Sequence, residues 1–280
     1  MSTTRMLLLH AVTPLHVGTG RGEGVIDLPI ARDQVTRHPL LPGSGLKGPM
    51  RAAASEGDRI EVFGPEHNNI THASAVRFSD ARLVAMPCPS DHGTFAWVTS
   101  PMILARWRRD FAHLIDFPST PPEITSEQCA CAPDAAIIGD GNVVLDGERY
   151  EALALDSWPQ WFAELIFPGD LVWQNMMANR LAILHDDAFD ALARHGTDVR
   201  AHIRIDPTTG TVHDGALWYE EAVPAEAIFA GVVQFIGSRR AGPAEALKVI
   251  EGLLEGPLTL GGSKTSGMGI VRGRLAGGGA

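Results

Sequence analysis

Gly261-Gly262-Ser263-Lys264-Thr265-Ser266-Gly267-Met268-Gly269 is the stretch on which the fold turns. Leu258–Gly262 leads into it, and Gly269–Leu275 reads as the strand that leads out. A glycine-rich loop that opens a helix points to a dinucleotide fold, but here a strand follows. The order Gly-x4-Gly-Lys-Ser/Thr of a P-loop is absent. Two readings remain. Glycines let a backbone come close to a ligand, and exposed N–H groups, Lys264 and the hydroxyls of Ser263, Thr265 and Ser266 suit phosphate oxygens. The same composition also makes a plain hairpin turn.

Outward from that loop, Ala244–Leu254 patterns as an amphipathic helix and Ala230–Ile236 as a strong strand. At the other end of the chain, Met6–Val12 reads as a buried strand, stopped by Thr13-Pro14 and followed by Gly18-Thr19-Gly20. Pro39–Gly48 reads as a turn, with a helix to about Ala54 in which Pro49 is expected in the first turn. Strand–loop–helix units at both ends predict an α+β body with irregular insertions between. Within it, Arg77–Leu83 and Ala96–Thr99 pattern as strands, and Pro101–Asp110 as an Arg-rich helix. Pro118–Pro133 reads as loop, and Trp158–Phe167 and Asn175–Leu184 as helices. Ala201–Ile205 and Ala216–Glu220 alternate about Asp206–Gly210, a hairpin signature.

The chain has 280 residues, 45% of them hydrophobic and 20% charged, which is a globular composition able to build a core. Its net charge of −10 argues against a free-standing nucleic-acid binder, so any RNA site must be a local basic strip. Three cysteines, Cys88, Cys129 and Cys131, make no disulfide framework and no four-ligand zinc site, and read as reduced thiols. The apolar run Met6–Leu9 is too short for a signal peptide or a membrane span, so the expected location is the cytoplasm, with no membrane partner.

Further segments carry candidate chemistry. In Leu41–Arg51 (LPGSGLKGPMR), Lys47 and Arg51 share a helix face, and Ser44 ahead of the helix N-terminus completes an anion site; the alternative is a solvated basic face. In Gly24–Arg32 (GVIDLPIAR), Asp27 is a lone carboxylate among apolar residues, suited to a divalent metal or a ribose hydroxyl, or else a turn cap. His16 is open between general base, RNA contact and hydrogen-bonded core residue. His185-Asp186-Asp187 reads as a helix cap. Arg106, Arg108 and Arg109 form a basic helix face that either tracks RNA or is salt-bridged.

Together these segments are more specific than any one alone. Thr13-Pro-Leu-His-Val-Gly-Thr-Gly20, Pro-Gly-Ser-Gly-Leu-Lys-Gly-x-x-Arg51 and the C-terminal Gly-Gly-x-x-Thr-x-Gly-x-Gly resemble the CRISPR RAMP superfamily. Gly24–Arg32, Phe95–Asp110 and Gly215–Pro224 are similar to the major backbone subunit of the type III-B (Cmr) effector complex, and the likeness runs from Thr13 to Val271. The resemblance implies a ferredoxin-like, RRM-type palm built from both termini of a single 1–280 domain. Finger insertions are expected at about 18–40 and 60–135, and a β-hairpin thumb at about 200–222. It implies guide-RNA contacts at Ser44, Lys47, Arg51 and Gly262, Ser263, Lys264, Thr265, Ser266 and Gly267. It also implies metal-dependent cleavage of single-stranded target RNA at Asp27, with Mg²⁺ or Mn²⁺ held by Asp27 and RNA phosphates and with His16 and Glu221 as lesser helpers. The implied partners are a CRISPR guide RNA, target RNA, further copies in a head-to-tail filament and other Cmr subunits. The rival readings are a guide-processing endoribonuclease of the same superfamily, a non-cleaving backbone, and a small-molecule α+β enzyme, for which no motif speaks.

Overall fold

The computed structural model describes residues 3–278 apart from 23, 66–71, 119, 156, 206, 207 and 209, and for 212–215 only the backbone. In chain order the first elements are β1 (Thr3–Ala11), β2 (Leu40–Leu41), α1 (Gly43–Ala53), α2 (Glu56–Glu61), β3 (Val76–Phe78), β4 (Ala81–Pro89), β5 (Phe95–Thr99) and α3 (Pro101–Phe111). Then come β6 (Gln128–Cys131), β7 (Ile138–Gly139), β8 (Asn142–Leu145), β9 (Glu148–Ala154), α4 (Ser157–Ile166), α5 (Leu171–Ala178), β10 (Leu181–Leu184) and α6 (Asp186–His195). The last are β11 (Asp198–Ile205), β12 (Val212–Ala222), β13 (Ile228–Phe235), α7 (Pro243–Leu254), β14 (Leu258–Thr259), a 3₁₀ turn at Lys264–Ser266 and β15 (Ile270–Ala276).

Among the described residues one large, mostly antiparallel sheet runs β14-β15-β1-β13-β4-β5-β10-β6-β9-β8-β7, and β11-β12 form a separate hairpin. This is the expected α+β class. The N- and C-terminal strands lie side by side, with Met6 opposite Ala276 and Ala11 opposite Val271. Alternation along β1 builds the two faces. Leu7, Leu9 and Ala11 join Leu46 and Met50 of α1 and Ile250 of α7 in one core. Met6 and Leu8 join Trp107 of α3 and Trp158 and Phe162 of α4 in the other. Fully burying each such large side chain contributes about 1.5–3 kcal/mol, so the two terminal strands are held between both cores.

Some expectations are corrected. Asn175–Leu184 is not one helix: α5 ends at Ala178 and Leu181–Leu184 is a strand, parallel to β5 and antiparallel to β6. An apolar run buried on both faces has no period that separates strand from helix. The single strand expected over Arg77–Leu83 is two, broken at Ser79-Asp80. The Pro118–Pro133 loop contains β6, whose partners β9 and β10 come later in the chain. Pro49 lies well inside α1, because the helix already begins at Gly43. Of the expected hairpin turn Asp206–Gly210, residues 206, 207 and 209 lie outside the described residues. Cys129 and Cys131 are buried on β6, and burial pushes the Cys88 thiol up to about 12. No helix among the described residues is long and apolar enough to cross a membrane.

Candidate nucleic-acid interface

The site is organised by β12. Its end pairs with the N-terminal segment through an antiparallel bridge, Leu15 N to Val223 O at 2.8 Å and Val223 N to Leu15 O at 2.9 Å. That segment in turn holds Gly24–Arg32, with Ala31 N donating to Val17 O at 2.8 Å. Leu28 then lies parallel to Glu220, with Leu28 N donating to Tyr219 O at 3.0 Å and Glu221 N to Leu28 O at 2.9 Å. The lone carboxylate is thereby fixed: Asp27 Oδ2 accepts the Tyr219 backbone N–H at 2.7 Å. Asp27 is half-buried in this position.

Glu221 is a strut. Its Oε1 accepts from the Arg32 guanidinium and from Thr197 Oγ1 at 2.7 Å, and its Oε2 accepts from Ile30 N at 3.0 Å. Arg32 also donates to the carbonyls of Ala193 (3.1 Å) and Arg194 (3.0 Å), in the last turn of α6. Both side chains are nearly closed off from water, Glu221 at 5% and Arg32 at 14% exposure. Burial by itself raises the Glu221 pKa, but the hydrogen bonds from Arg32, Thr197 and Ile30 outweigh it and hold the carboxyl below its ordinary value of 4.5. A depressed native pKa contributes stability that is complete above pH 4.5 and is lost as pH falls through the native value. Thermal melts taken between about pH 7 and about pH 3 should therefore show a fall at the acid end that Glu221→Gln flattens.

His16 is buried under the glycine-rich loop. Its Nδ1 donates to the Glu221 carbonyl at 2.7 Å, and its own carbonyl accepts from Gly262 N at 2.8 Å. The loop's far end is pinned by Gly269 N to Pro14 O at 2.9 Å, and Ser263 Oγ donates to Glu220 Oε1 at 2.6 Å. Between these anchors Lys264, Thr265, Ser266 and Gly267 are exposed. Gly261 is required here: its φ is +78°, and a Cβ would stand 2.2 Å from the His16 carbonyl oxygen. Gly261→Ala is expected to displace the loop and to cost more than about 1 kcal/mol in urea unfolding. Val17 separates the loop from α1, since Cβ atoms on Gly261 and on Gly45 would meet it at 3.2 and 3.5 Å. Two widely separated glycine-rich segments thus lie side by side.

A family profile described as the RAMP superfamily matches residues 8–272. The chain belongs to the RAMP superfamily. It is 31% identical to the CRISPR system Cmr endoribonuclease Cmr4 of Pyrococcus furiosus, covering 94% of this chain and 92% of that one. Among solved structures it is similar to oligomeric Cmr4 from Pyrococcus furiosus (TM-score 0.73, 24% identity, 98% of each chain covered). It is also similar to a chain of a type III-B Cmr-beta complex bound to cognate target RNA (TM-score 0.74, 24% identity, 98% of this chain and 97% of that one).

In this RAMP chain the α1 residues are placed otherwise than expected. Ser44 does not precede the helix; it is the second residue of α1 and exposed. The Gly43 N–H, which an anion site would offer, donates instead to Asp80 Oδ1 at 2.8 Å. Lys47 is half-buried, and burial followed by the nearby Arg51 lowers its pKa. Arg51 Nη2 donates to the Gly64 carbonyl at 3.4 Å. On α3, Arg109 pairs with Asp110 at 2.7 Å, while burial, followed by the nearby Arg82, lowers the Arg106 pKa. His185 caps α6 as expected, its Nδ1 accepting from Asp187 N at 3.3 Å.

No group of three His, Cys, Asp or Glu side chains stands at metal-holding distance among the described residues. Among the described residues Asp27 Oδ1 receives no hydrogen bond, while Oδ2 is given to Tyr219. That suits a hard divalent ion that takes one carboxylate and completes its shell with water and phosphate oxygens. Sequence reasoning missed Glu220, the Tyr219 N–H and Arg32. The signal present was two adjacent acids in an alternating strand, which forces one of them onto each face.

Proposed function

We propose that this RAMP chain is a backbone subunit of a type III CRISPR ribonucleoprotein that grips the guide RNA and cleaves the complementary target RNA as an endoribonuclease. The observation that carries the reading is the position of Asp27. Its carboxylate is clamped to β12 through one oxygen, with the other left for chemistry, on a loop whose supporting strand also anchors the glycine-rich loop. The hairpin supplies the surface between them. On one face it carries His202, stacked on Trp218 at 5.5 Å, with Glu220 beside them and Arg200 paired to Asp198 at 3.1 Å. On the other it exposes Val199, Ile203, Ile205, Leu217 and Tyr219. The His202–Trp218 pair suits stacking on bases, and the exposed apolar side chains suit wedging into a stack.

The chemistry asked of the chain is limited. A target nucleotide turned out of its stack presents its 2′-hydroxyl to the neighbouring phosphate. Asp27 sits where it can orient that hydroxyl or take its proton. A bound Mg²⁺ or Mn²⁺ ion supplies charge neutralisation at the scissile phosphate. The exposed residues Lys264, Thr265, Ser266 and Gly267 of the glycine-rich loop, with Lys47, hold backbone phosphates, and Glu221, Arg32 and His16 keep the loops in place. Guide pairing supplies sequence choice, and the protein reads backbone shape. The work is done in the cytoplasm, beside further copies of the chain and other Cmr subunits.

The complex reconstituted with guide should cut a complementary RNA in Mg²⁺ or Mn²⁺ and leave it whole in EDTA. Metal-independent cutting points to the guide-processing alternative, and an intact target in both metals to a non-cleaving backbone. On an acidic body a basic strip binds RNA weakly by itself. Affinity of the isolated chain should fall with salt, with a log–log slope of about −0.7 per phosphate contacted. Tight binding that ignores salt would sink the reading.

A further inference from the structure

We propose that Glu220 is a positioning residue that couples the RNA-gripping loop to the Asp27 loop; this rests on the reading above, that Asp27 serves cleavage. Glu220 is 3% exposed, a carboxylate buried in a strand where an apolar side chain would be cheaper to bury. Three functional segments meet on it. Oε1 accepts from Ser263 Oγ of the glycine-rich loop at 2.6 Å. Oε2 lies 3.1 Å from His202 Nε2 of the hairpin, at ion-pair distance though outside hydrogen-bond geometry. His16 Nδ1 stands 3.6 Å from Oε1.

Ser263 is held at φ +52°, a left-handed conformation that a non-glycine residue adopts at some cost, and the bond to Glu220 offsets it. The Ser263 hydroxyl is therefore an anchor for the loop, and RNA is left to the exposed residues after it. The neighbours of Glu220 serve the Gly24–Arg32 segment, which pairs with β12 at Leu28, one through a backbone N–H and the other through its side chain. The Tyr219 N–H aims Asp27, and Glu221 holds Ile30 and Arg32. One residue of backbone thus separates the contact that senses the glycine-rich loop from the contacts that set the cleavage loop. When the loop settles on RNA, Ser263 moves Glu220, and β12 carries the movement to Asp27.

The test uses the assembled complex with guide, single-turnover cleavage at saturating target and a separate measure of target affinity. Glu220→Ala should lower the saturated rate about tenfold while affinity stays within about twofold. Glu220→Gln, which keeps the size and an acceptor for Ser263, should recover most of the rate. Ser263→Ala should reproduce the Glu220→Ala loss, and the double variant should be no worse than either single one, as for one shared link. A wild-type rate in Glu220→Ala overturns the proposal. So does a loss of affinity that matches the loss of rate, or additive losses in the double variant. If Glu220→Ala fails to assemble, Ser263→Ala decides: a lowered rate with affinity kept supports the coupling, and an unchanged rate overturns it. Asp27→Ala in the same assay tests the underlying reading separately, since cutting that survives it removes that reading whatever Glu220 does.

Discussion

Asp27→Ala is expected to lower target cleavage by the assembled complex by about 10²–10³-fold, with guide and target binding unchanged. The figure is the usual cost of removing one preorganised group aimed at charge that develops during reaction. The variant also loses the hydrogen bond from the Tyr219 N–H, so a fall in activity alone would leave loop collapse as an explanation. Asp27→Asn removes that ambiguity. Its amide oxygen can still accept from Tyr219, so the loop stays clamped while the charge is gone. We expect Asp27→Asn to be as slow as Asp27→Ala and to melt like the wild type. A fast Asp27→Asn would mean that the carboxylate only shapes the loop. Added Mn²⁺ is not expected to rescue either variant.

Glu221→Ala is expected to cost about 3–5 kcal/mol in urea unfolding, the largest single-site loss in the site. The reason is what it strands. Arg32 stays closed off from water without its carboxylate, and the Ile30 N–H and the Thr197 hydroxyl lose their acceptor. Arg32→Ala should cost less, because Glu221 keeps two of its three partners. The two losses should be strongly non-additive, since they break one network. Glu221 was expected as a lesser chemical helper. Its geometry makes it a strut with both oxygens occupied, so Glu221→Ala should lower activity through stability. Cleavage by the fraction that remains assembled should fall much less than with Asp27→Ala. A stable Glu221→Ala complex that cannot cut would return Glu221 to the chemistry.

Much of this was legible in the residues. The strand after Gly261–Gly269 excluded the nucleotide-binding loops, and the two terminal strands with their helices announced an α+β body. Elements with a clear period, such as β1, α3 and α7, stand where the pattern puts them. What failed had no period to read. Leu181–Leu184 is apolar on both faces, and Pro49 sits in a helix whose start was marked by Gly43 and not by Ser44. The Asp80 carboxylate on the Gly43 N–H was also invisible, because its position depends on how the β3–β4 turn packs against α1.

The sequence by itself determined the class of fold, the RAMP likeness and the naming of Asp27 and the glycine-rich loop, because these rest on local residue types and spacings. Only the tertiary structure decided what holds them together. Residues 27, 16 and 263 are remote in the chain, and they meet on β12, at the Tyr219 N–H, the Glu221 carbonyl and the Glu220 side chain. Alternation along a strand is a local property. Which loops lie against each face depends on long-range pairing, and that is a property of the folded chain alone.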